Sequence, residues 1–173
     1  MTSSIKVYLA SPLGFSSEHD PYREKVKSVL VAQGCTIFDP WEQEHFDQRI
    51  RKAQDIMHVS ERIAAFREIA ADIGQCNEDG IREADVIFAI LDGAEVDSGT
   101  ASEVGFGSAL GKRCYGLRTD IRDSGDFHGV PLNLQVLHFI ERTGGKLFRR
   151  TEDIVIGRGQ NIVQGLDKDG GEA

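Results

Sequence analysis

The chain has 173 residues, of which 40% are hydrophobic, enough for one domain with its own core and short for two. Its formal charge of -8 argues against a nucleic-acid partner, because phosphate neutralisation needs a basic stripe and the sequence shows none. Small-molecule ligands fit this balance better.

The cysteines and the N-terminal sequence indicate the cellular compartment in which the protein works. Cys35, Cys76 and Cys114 are widely spaced, odd in number and without CxxC or histidine-rich company, which predicts neither a disulfide framework nor a metal site. No basic N-terminal region precedes a long apolar one, and no apolar run approaches the ~18 residues of a membrane span. We therefore expect a cytoplasmic protein with reduced cysteines and no membrane partner.

The first half of the chain alternates short apolar segments with helix-favouring ones. Ile5–Ala10 reads as a strand, and a helix begins near Asp20 and stops at Gly34. A second strand, Cys35–Phe38, follows at once. From 43 to 76 the apolar residues recur at helical spacing, which predicts one or two amphipathic helices, with a break expected at Ile73-Gly74.

The second half repeats the alternation. The expected elements are a short helix at Asn77–Arg82, a central strand at Ala84–Leu91, a glycine-punctuated turn and helix at 97–112, a strand at Arg113–Leu117, a helix opened by Pro131-Leu-Asn133, and an edge strand at Lys146–Arg149. This order predicts an α/β fold: a doubly wound, flavodoxin-like or Rossmann-like parallel sheet of five strands, with helices on both faces.

The domain is expected to span residues 1–150. From 151 to 173 the chain carries Gly, Asp and Glu with few large apolar residues, which predicts a loosely ordered C-terminal tail.

The strongest site signal lies just after the central strand. Ligands of open α/β sheets bind beyond the carboxyl ends of strands, and Glu103 opens the next helix there. Asp97 lies six residues earlier, while Gly99, Gly105 and Gly107 leave the backbone open to close approach by a substrate. Two carboxylates at one end of a sheet suit chemistry that needs a nucleophile or an acid–base pair.

Local spacing also permits a structural role for Glu103. Thr100-Ala-Ser-Glu103 fits a capping box, in which Thr100 caps the helix and Glu103 bonds back to the main chain. Gly105-x-Gly107-x-x-x-Gly111 is not a dinucleotide fingerprint, because its last spacing is wrong and it lies inside the helix. We expect no cofactor.

Four segments together resemble the nucleoside 2-deoxyribosyltransferases. These are Val7-Tyr8-Leu-Ala-Ser-Pro12, Asn77 eight residues before Asp85, Asp97-Ser-Gly-Thr-Ala-Ser-Glu103-Val-Gly, and Pro131-Leu-Asn133-Leu. The resemblance covers about residues 5 to 149. It implies an enzyme of nucleoside salvage that exchanges the base of 2'-deoxyribonucleosides by a retaining double displacement.

The resemblance also implies roles for individual residues. Glu103 matches the nucleophile that forms a covalent deoxyribosyl ester, and Tyr8 matches the tyrosine whose hydroxyl orients it. Asp97 matches an acid near the sugar and base that helps to deliver a proton to the leaving nitrogen. Without the resemblance, Asp97-Ser-Gly would pass for an ordinary turn and Tyr8 for a core tyrosine.

Four further residues are candidates for binding the nucleoside. Asn77 matches a position that is aspartate in some members; an amide can bond a base edge but cannot act as a general acid. Asn133 matches an asparagine that enters a neighbouring subunit's site to hold the 5'-hydroxyl, which implies a homo-oligomer; taken alone, it reads as a helix cap. Phe15 and Trp41 are aromatic surfaces on which the base could stack, although Trp41 could simply pack against the sheet edge.

Three alternatives stay open. A nucleoside 5'-monophosphate hydrolase of the same superfamily would carry serines where Asp97 and Asn133 stand, since a carboxylate repels a phosphate. A non-catalytic nucleotide-binding module could use the same fold. A phosphoacceptor receiver domain is prompted by Asp92 at a strand end, but Ser11-Pro-Leu-Gly14 occupies the loop where its acidic pair is expected.

Overall fold

A five-stranded, all-parallel sheet forms the centre of the protein, in the order β2-β1-β3-β4-β5. The computed structural model describes residues 4–157. The strands are β1 (Ile5–Ala10), β2 (Cys35–Phe38), β3 (Val86–Ile90), β4 (Arg113–Leu117) and β5 (Leu147–Phe148). The predicted α/β fold is confirmed, and all five strands lie within two residues of their expected ends.

Helices cover both faces of this sheet. They are α1 (Asp20–Ala32), α2 (Glu44–Gln54), α3 (Val59–Glu83), α4 (Ser98–Ala109) and α5 (Leu134–Arg142), with single 3-10 turns at Leu13–Phe15, Ser17–His19, Pro40–Glu42 and Thr151–Asp153. Side chains alternate along a strand, so Val7 and Leu9 pack on the α1 face while Tyr8 and Ala10 pack on the opposite face.

The order of the strands decides where a ligand can bind. From β1 the chain passes to β2 on one side, whereas β3 leads to β4 on the other. The loops that leave β1 and β3 therefore part at their carboxyl ends and open a crevice between them. Tyr8 lies on β1 beside this crevice, in register with Phe38 on β2 and Ile87 on β3.

The prediction of a helix break at Ile73-Gly74 is wrong. The α3 helix runs without interruption for 25 residues and includes the segment expected to form a separate short helix. A glycine in a helix interior costs about 1 kcal/mol relative to alanine. Burial of Ile69 and Ile81 on either side of it offsets this cost.

A second, smaller core lies between α2 and α3. Phe46, Ala53 and Ile69 are buried there, and Ile50 and Ile73 pack against them. None of these five side chains belongs to the two clusters that cover the faces of the sheet.

The beginning of the expected C-terminal tail packs against the domain. Thr151 and Ile154 are buried, and Ile154 joins the α1-side core. The rest of the predicted tail, from 158 to 173, lies outside the described residues.

Within the described range, no helix combines the length and the hydropathy needed to cross a bilayer.

Candidate active site

A hydrogen bond between Tyr8 and Glu103 lies at the centre of the crevice. The Tyr8 hydroxyl donates to Glu103 Oε1 over 2.6 Å, joining residues 95 positions apart in the chain. Tyr8 is fully buried, and its ring stacks on Phe38 with centroids 5.5 Å apart. The core of the sheet therefore fixes the hydroxyl that holds the carboxylate.

Asp97, and not Thr100, caps the helix that carries Glu103. The α4 helix begins at Ser98, and Asp97 Oδ2 accepts hydrogen bonds from the Thr100 amide at 2.9 Å and the Thr100 hydroxyl at 3.2 Å. The predicted capping box is wrong, because Asp97 supplies the cap and Glu103 turns to Tyr8.

A cavity of about 520 Å³ opens above Glu103. Six of the predicted site residues line it: Phe15, Trp41, Asn77, Asp97, Gly99 and Glu103. Its other walls are Ser11, Pro12, Pro40, Ile50, Ile73, Ser98 and Thr100. The lining thus combines two carboxylates with apolar and aromatic groups.

Burial changes the acidity of the central pair. It raises the pKa of Glu103 to about 7, with a further rise from the charge of Asp97, while the hydrogen bond from Tyr8 lowers it. Burial and the Glu103 carboxylate raise the pKa of Tyr8 well above its ordinary range, so this hydroxyl stays a neutral donor. Glu103 therefore changes charge near neutrality.

Trp41 and Phe15 form an aromatic wall of this cavity. The Trp41 indole donates from Nε1 to the Ser11 carbonyl over 2.8 Å, and Phe15 meets it edge to face at 4.5 Å. Gly14 lies under the indole, where a Cβ atom would come within 2.0 Å of the ring. Phe15 is 80% exposed, which leaves an aromatic face free for a planar ligand.

The model of a known family matches residues 7–135, and it describes the nucleoside 2-deoxyribosyltransferases. The chain belongs to this family. No curated protein sequence gives a significant match.

Solved structures support the same fold. The chain is 25% identical to the 2-deoxyribosyltransferase of Bacillus psychrosaccharolyticus, covering 86% of this chain and 88% of that one, with a TM-score of 0.51. A protein from Enterococcus faecalis V583 is 24% identical over 87% and 94% of the two chains, with a TM-score of 0.60. The CMP N-glycosidase of Clostridium botulinum is 15% identical over 85% and 92%, with a TM-score of 0.50.

In this nucleoside 2-deoxyribosyltransferase-family chain, Asn133 lies apart from the Glu103 cavity. It caps α5, where its Oδ1 accepts from the amides of Gln135 at 3.0 Å and Val136 at 3.3 Å. It lines a different cavity of about 430 Å³, together with Glu95, Val96, Ala101, Ser124, Gly125, Asp126 and Val136. The helix-cap reading is confirmed, and the role in a neighbouring subunit stays a prediction.

Several cavity residues of this family member were not predicted. Ser11, Pro12 and Pro40 follow the carboxyl ends of β1 and β2, so the strand-end rule that identifies Glu103 also applies to them. Ile50 and Ile73 carry only the helical spacing of a packed face. Nothing in that spacing distinguishes a cavity wall from a core position.

The Asp92 carboxylate accepts hydrogen bonds that connect three segments of the fold. Its Oδ1 accepts from the amides of Thr119 at 2.6 Å and Asp120 at 2.7 Å, and its Oδ2 accepts from the Tyr22 hydroxyl at 3.0 Å. These bonds join the ends of β3, β4 and α1. The family match and this saturated carboxylate both speak against a phosphoacceptor role.

Across residues 4–157, no three His, Cys, Asp or Glu side chains are grouped so that they could hold a metal ion.

Proposed function

We propose that the protein exchanges the base of 2'-deoxyribonucleosides by a retaining double displacement, with Glu103 as the nucleophile. The hydrogen bond of Glu103 to Tyr8, at the floor of an open cavity, carries this proposal. A carboxylate used only as a helix cap would face its own main chain, whereas the cap here is Asp97.

The proposed reaction has two steps. A Glu103 carboxylate oxygen attacks C1' of the sugar, the bond from C1' to the base nitrogen breaks, and the base leaves with a proton relayed from solvent through Asp97. The nitrogen of a second base then attacks C1' from the face opposite the ester, the bond from C1' to Glu103 breaks, and the proton of the incoming base returns to solvent by the same route. Two inversions give net retention, and no water enters the product.

Tyr8 acts on the nucleophile and not on the base. Its donated bond holds one oxygen of Glu103, leaving the other oxygen for C1'. The same bond opposes the effect of burial on the pKa of Glu103 and so maintains more of the reactive, ionised form. This is a positioning and electrostatic role that needs no proton transfer by Tyr8.

We assign Asp97 and Asn77, which both line the cavity, to the sugar and the base. Asp97 Oδ2 is engaged by Thr100, so we assign contact with sugar hydroxyls or the leaving nitrogen to the remaining oxygen. Asn77 reaches the cavity from α3 and offers an amide to a base edge. Phe15 and Trp41 offer faces on which the base stacks.

The lining of the cavity favours nucleosides over nucleotides. Of the described residues that form its walls, two are carboxylates and none is lysine or arginine. A phosphate group would meet negative charge without a compensating cation. The N-glycosidase alternative therefore fits these walls less well.

The decisive experiment traps the intermediate. Protein incubated with a 2-fluoro-2-deoxyribosyl nucleoside should gain one sugar mass on Glu103, identified by peptide mass spectrometry, and a Glu103→Gln control should gain none. In parallel, deoxyinosine and adenine should give deoxyadenosine and hypoxanthine. Release of free sugar phosphate from a deoxynucleotide, with no base exchange, would instead establish a hydrolase.

We propose in addition that the active form is a homo-oligomer in which Asn133 completes a neighbouring subunit's site. The support is its position outside the Glu103 cavity of its own chain. Mixing inactive Glu103→Gln protein with inactive Asn133→Ala protein should restore activity, because mixed assemblies contain some sites with both residues intact. Unchanged activity of Asn133→Ala alone, or no recovery on mixing, would contradict this arrangement.

A further inference from the structure

A buried group of charges lies behind the aromatic wall. Asp39 follows β2 and is 2% exposed, and its Oδ2 lies 3.4 Å from Arg23 Nε and 3.8 Å from Lys27 Nζ. Both cations come from α1. The contact between Arg23 Nε and Asp39 Oδ2 is an ion pair and not a hydrogen bond, because neither atom makes a hydrogen bond.

These charges hold the turn that carries Trp41 at both of its ends. Before the turn, Asp39 Oδ1 accepts from the Trp41 amide over 3.0 Å. At the last residue of the turn, Glu42 pairs with Lys27, the same lysine that faces Asp39. The ammonium group of Lys27 is also held by Glu24, with which it pairs over 2.7 Å. The turn Pro40–Glu42 is thus fastened to α1.

The indole ring is held independently by the first loop. The Ser11 carbonyl accepts from its Nε1, and Gly14 lies directly beneath it. The main chain of Trp41 is therefore held by the Asp39 carboxylate, and its ring is held by the loop that follows β1. Both aromatic side chains still line the cavity, and Trp41 remains 36% exposed.

A buried ion pair is a poor way to gain stability, since well-packed apolar groups of similar volume often do as well or better. Where such a pair is tied to one turn beside a ligand cavity, defining a single geometry is the better explanation. The charges of Arg23 and Lys27 do not line the cavity themselves.

We propose that the cluster Arg23, Lys27, Asp39 and Glu42 consists of positioning residues that set the affinity for the base by holding Trp41. The proposal rests on the proposed function for the identity of the ligand, a nucleobase. Lys27 is the most informative member, because it binds the far end of the turn while Arg23 still faces Asp39.

The test compares Lys27→Met with Lys25→Met. Both remove one positive charge from α1, but Lys25 pairs with Glu152, away from the turn. Trp41 is the one tryptophan of the chain, so its fluorescence reports on the wall alone. Three readouts are taken: acrylamide quenching without ligand, the Kd of adenine from fluorescence titration, and kcat and KM for base exchange.

Lys27→Met should increase acrylamide quenching, weaken adenine binding about 5- to 10-fold and raise KM by a similar factor, with kcat changed less than about two-fold. Lys25→Met should match the wild type, and Lys27→Arg should restore most of the loss. Glu42→Gln removes the same contact from an exposed side chain and serves if Lys27→Met does not fold.

The proposal is overturned if Lys27→Met behaves as Lys25→Met does, or if quenching rises while adenine affinity stays unchanged. Adenine binding needs no turnover, so it separates the two proposals. A wild type that binds adenine at Trp41 without exchanging bases would defeat the proposed function and leave this inference standing.

Discussion

Glu103 is a half-buried and Asp39 a buried carboxylate at the same end of one sheet, and their surroundings are opposite. Asp39 faces the cations of Arg23 and Lys27 and is 2% exposed. Glu103 faces the neutral hydroxyl of Tyr8, with the carboxylate of Asp97 nearby and a cavity above it. In the described part of the chain it forms no ion pair.

Burial raises the pKa of both groups, but only Asp39 has cations that oppose the rise. A carboxylate surrounded by cations is stabilised as a fixed part of the structure. One held by a neutral donor keeps a high free energy when ionised, and therefore gains more by bonding to an electron-poor carbon. The environment, and not the side chain, separates the two roles.

The strongest test of this difference between Glu103 and Asp39 is to neutralise each carboxylate in turn. Glu103→Gln should lower base exchange by at least about 10³-fold, because an amide cannot form the ester, while nucleoside binding survives. Asp39→Asn should lower stability yet keep kcat within about tenfold. Initial rates and equilibrium binding measure both. Similar losses of kcat in the two variants would erase the distinction.

Removing the neutral donor should have the next largest effect. Tyr8→Phe should lower kcat about 10- to 100-fold, the value of one hydrogen bond to a charged group. Because that bond lowers the pKa of Glu103, its loss should also move the acid limb of the pH–rate profile above its wild-type position near pH 7. A uniform drop in rate with an unmoved limb would show that Tyr8 acts on something other than Glu103.

Stability should respond to Glu103 with the opposite sign from activity. The folded carboxyl binds its proton more tightly than the unfolded one, so the wild type loses stability as pH rises from about 4.5 through about 7. Glu103→Gln does not titrate and should be more stable above pH 7 by on the order of 2 kcal/mol.

Urea denaturation at pH 5 and pH 8 checks this. The two proteins should differ little at the lower pH, and an equal difference at both values would assign the gain to packing instead of charge.

The smallest expected changes in pH dependence and stability concern Asp97, apart from the loss of rate expected from its proposed contact with the substrate. Its charge raises the pKa of Glu103, so Asp97→Asn should move the acid limb to lower pH by less than about one unit. Asparagine caps helices as well as aspartate does, so unfolding free energy should change by less than about 0.5 kcal/mol. Calorimetry together with the pH–rate profile tests the pair of effects. A limb displaced upward would contradict the assigned electrostatics.

The sequence predicts the strands and the position of Glu103 better than it predicts the hydrogen bonds within the site. Continuous apolar runs identify the strands, and the strand-end rule places Glu103 in the crevice. The cap of α4 could not be chosen this way, since Asp97 and Thr100 both fit local spacing. A capping box would need the Glu103 carboxylate, but that carboxylate accepts a hydrogen bond from the hydroxyl of Tyr8, 95 residues away.

Two other features depend on tertiary packing in the same way. The α3 helix continues through Gly74 because buried side chains flank that glycine, and helical spacing alone does not reveal them. Asp39-Pro40 after β2 is typical of a turn, but the contacts of Asp39 with Arg23 and Lys27 join segments that only the fold brings together. Local patterns carry no sign of such long-range pairs.

The small core between α2 and α3 makes one wall of the cavity separable from its floor. Ile50 and Ile73 rest on Phe46, Ala53 and Ile69, whereas Tyr8 is held by the sheet. Substitutions in that satellite cluster can therefore reshape this wall of the cavity while Glu103 keeps its support from Tyr8. Under the proposed function, engineering of the range of accepted bases should begin with randomisation in this helical pair and leave the strands untouched.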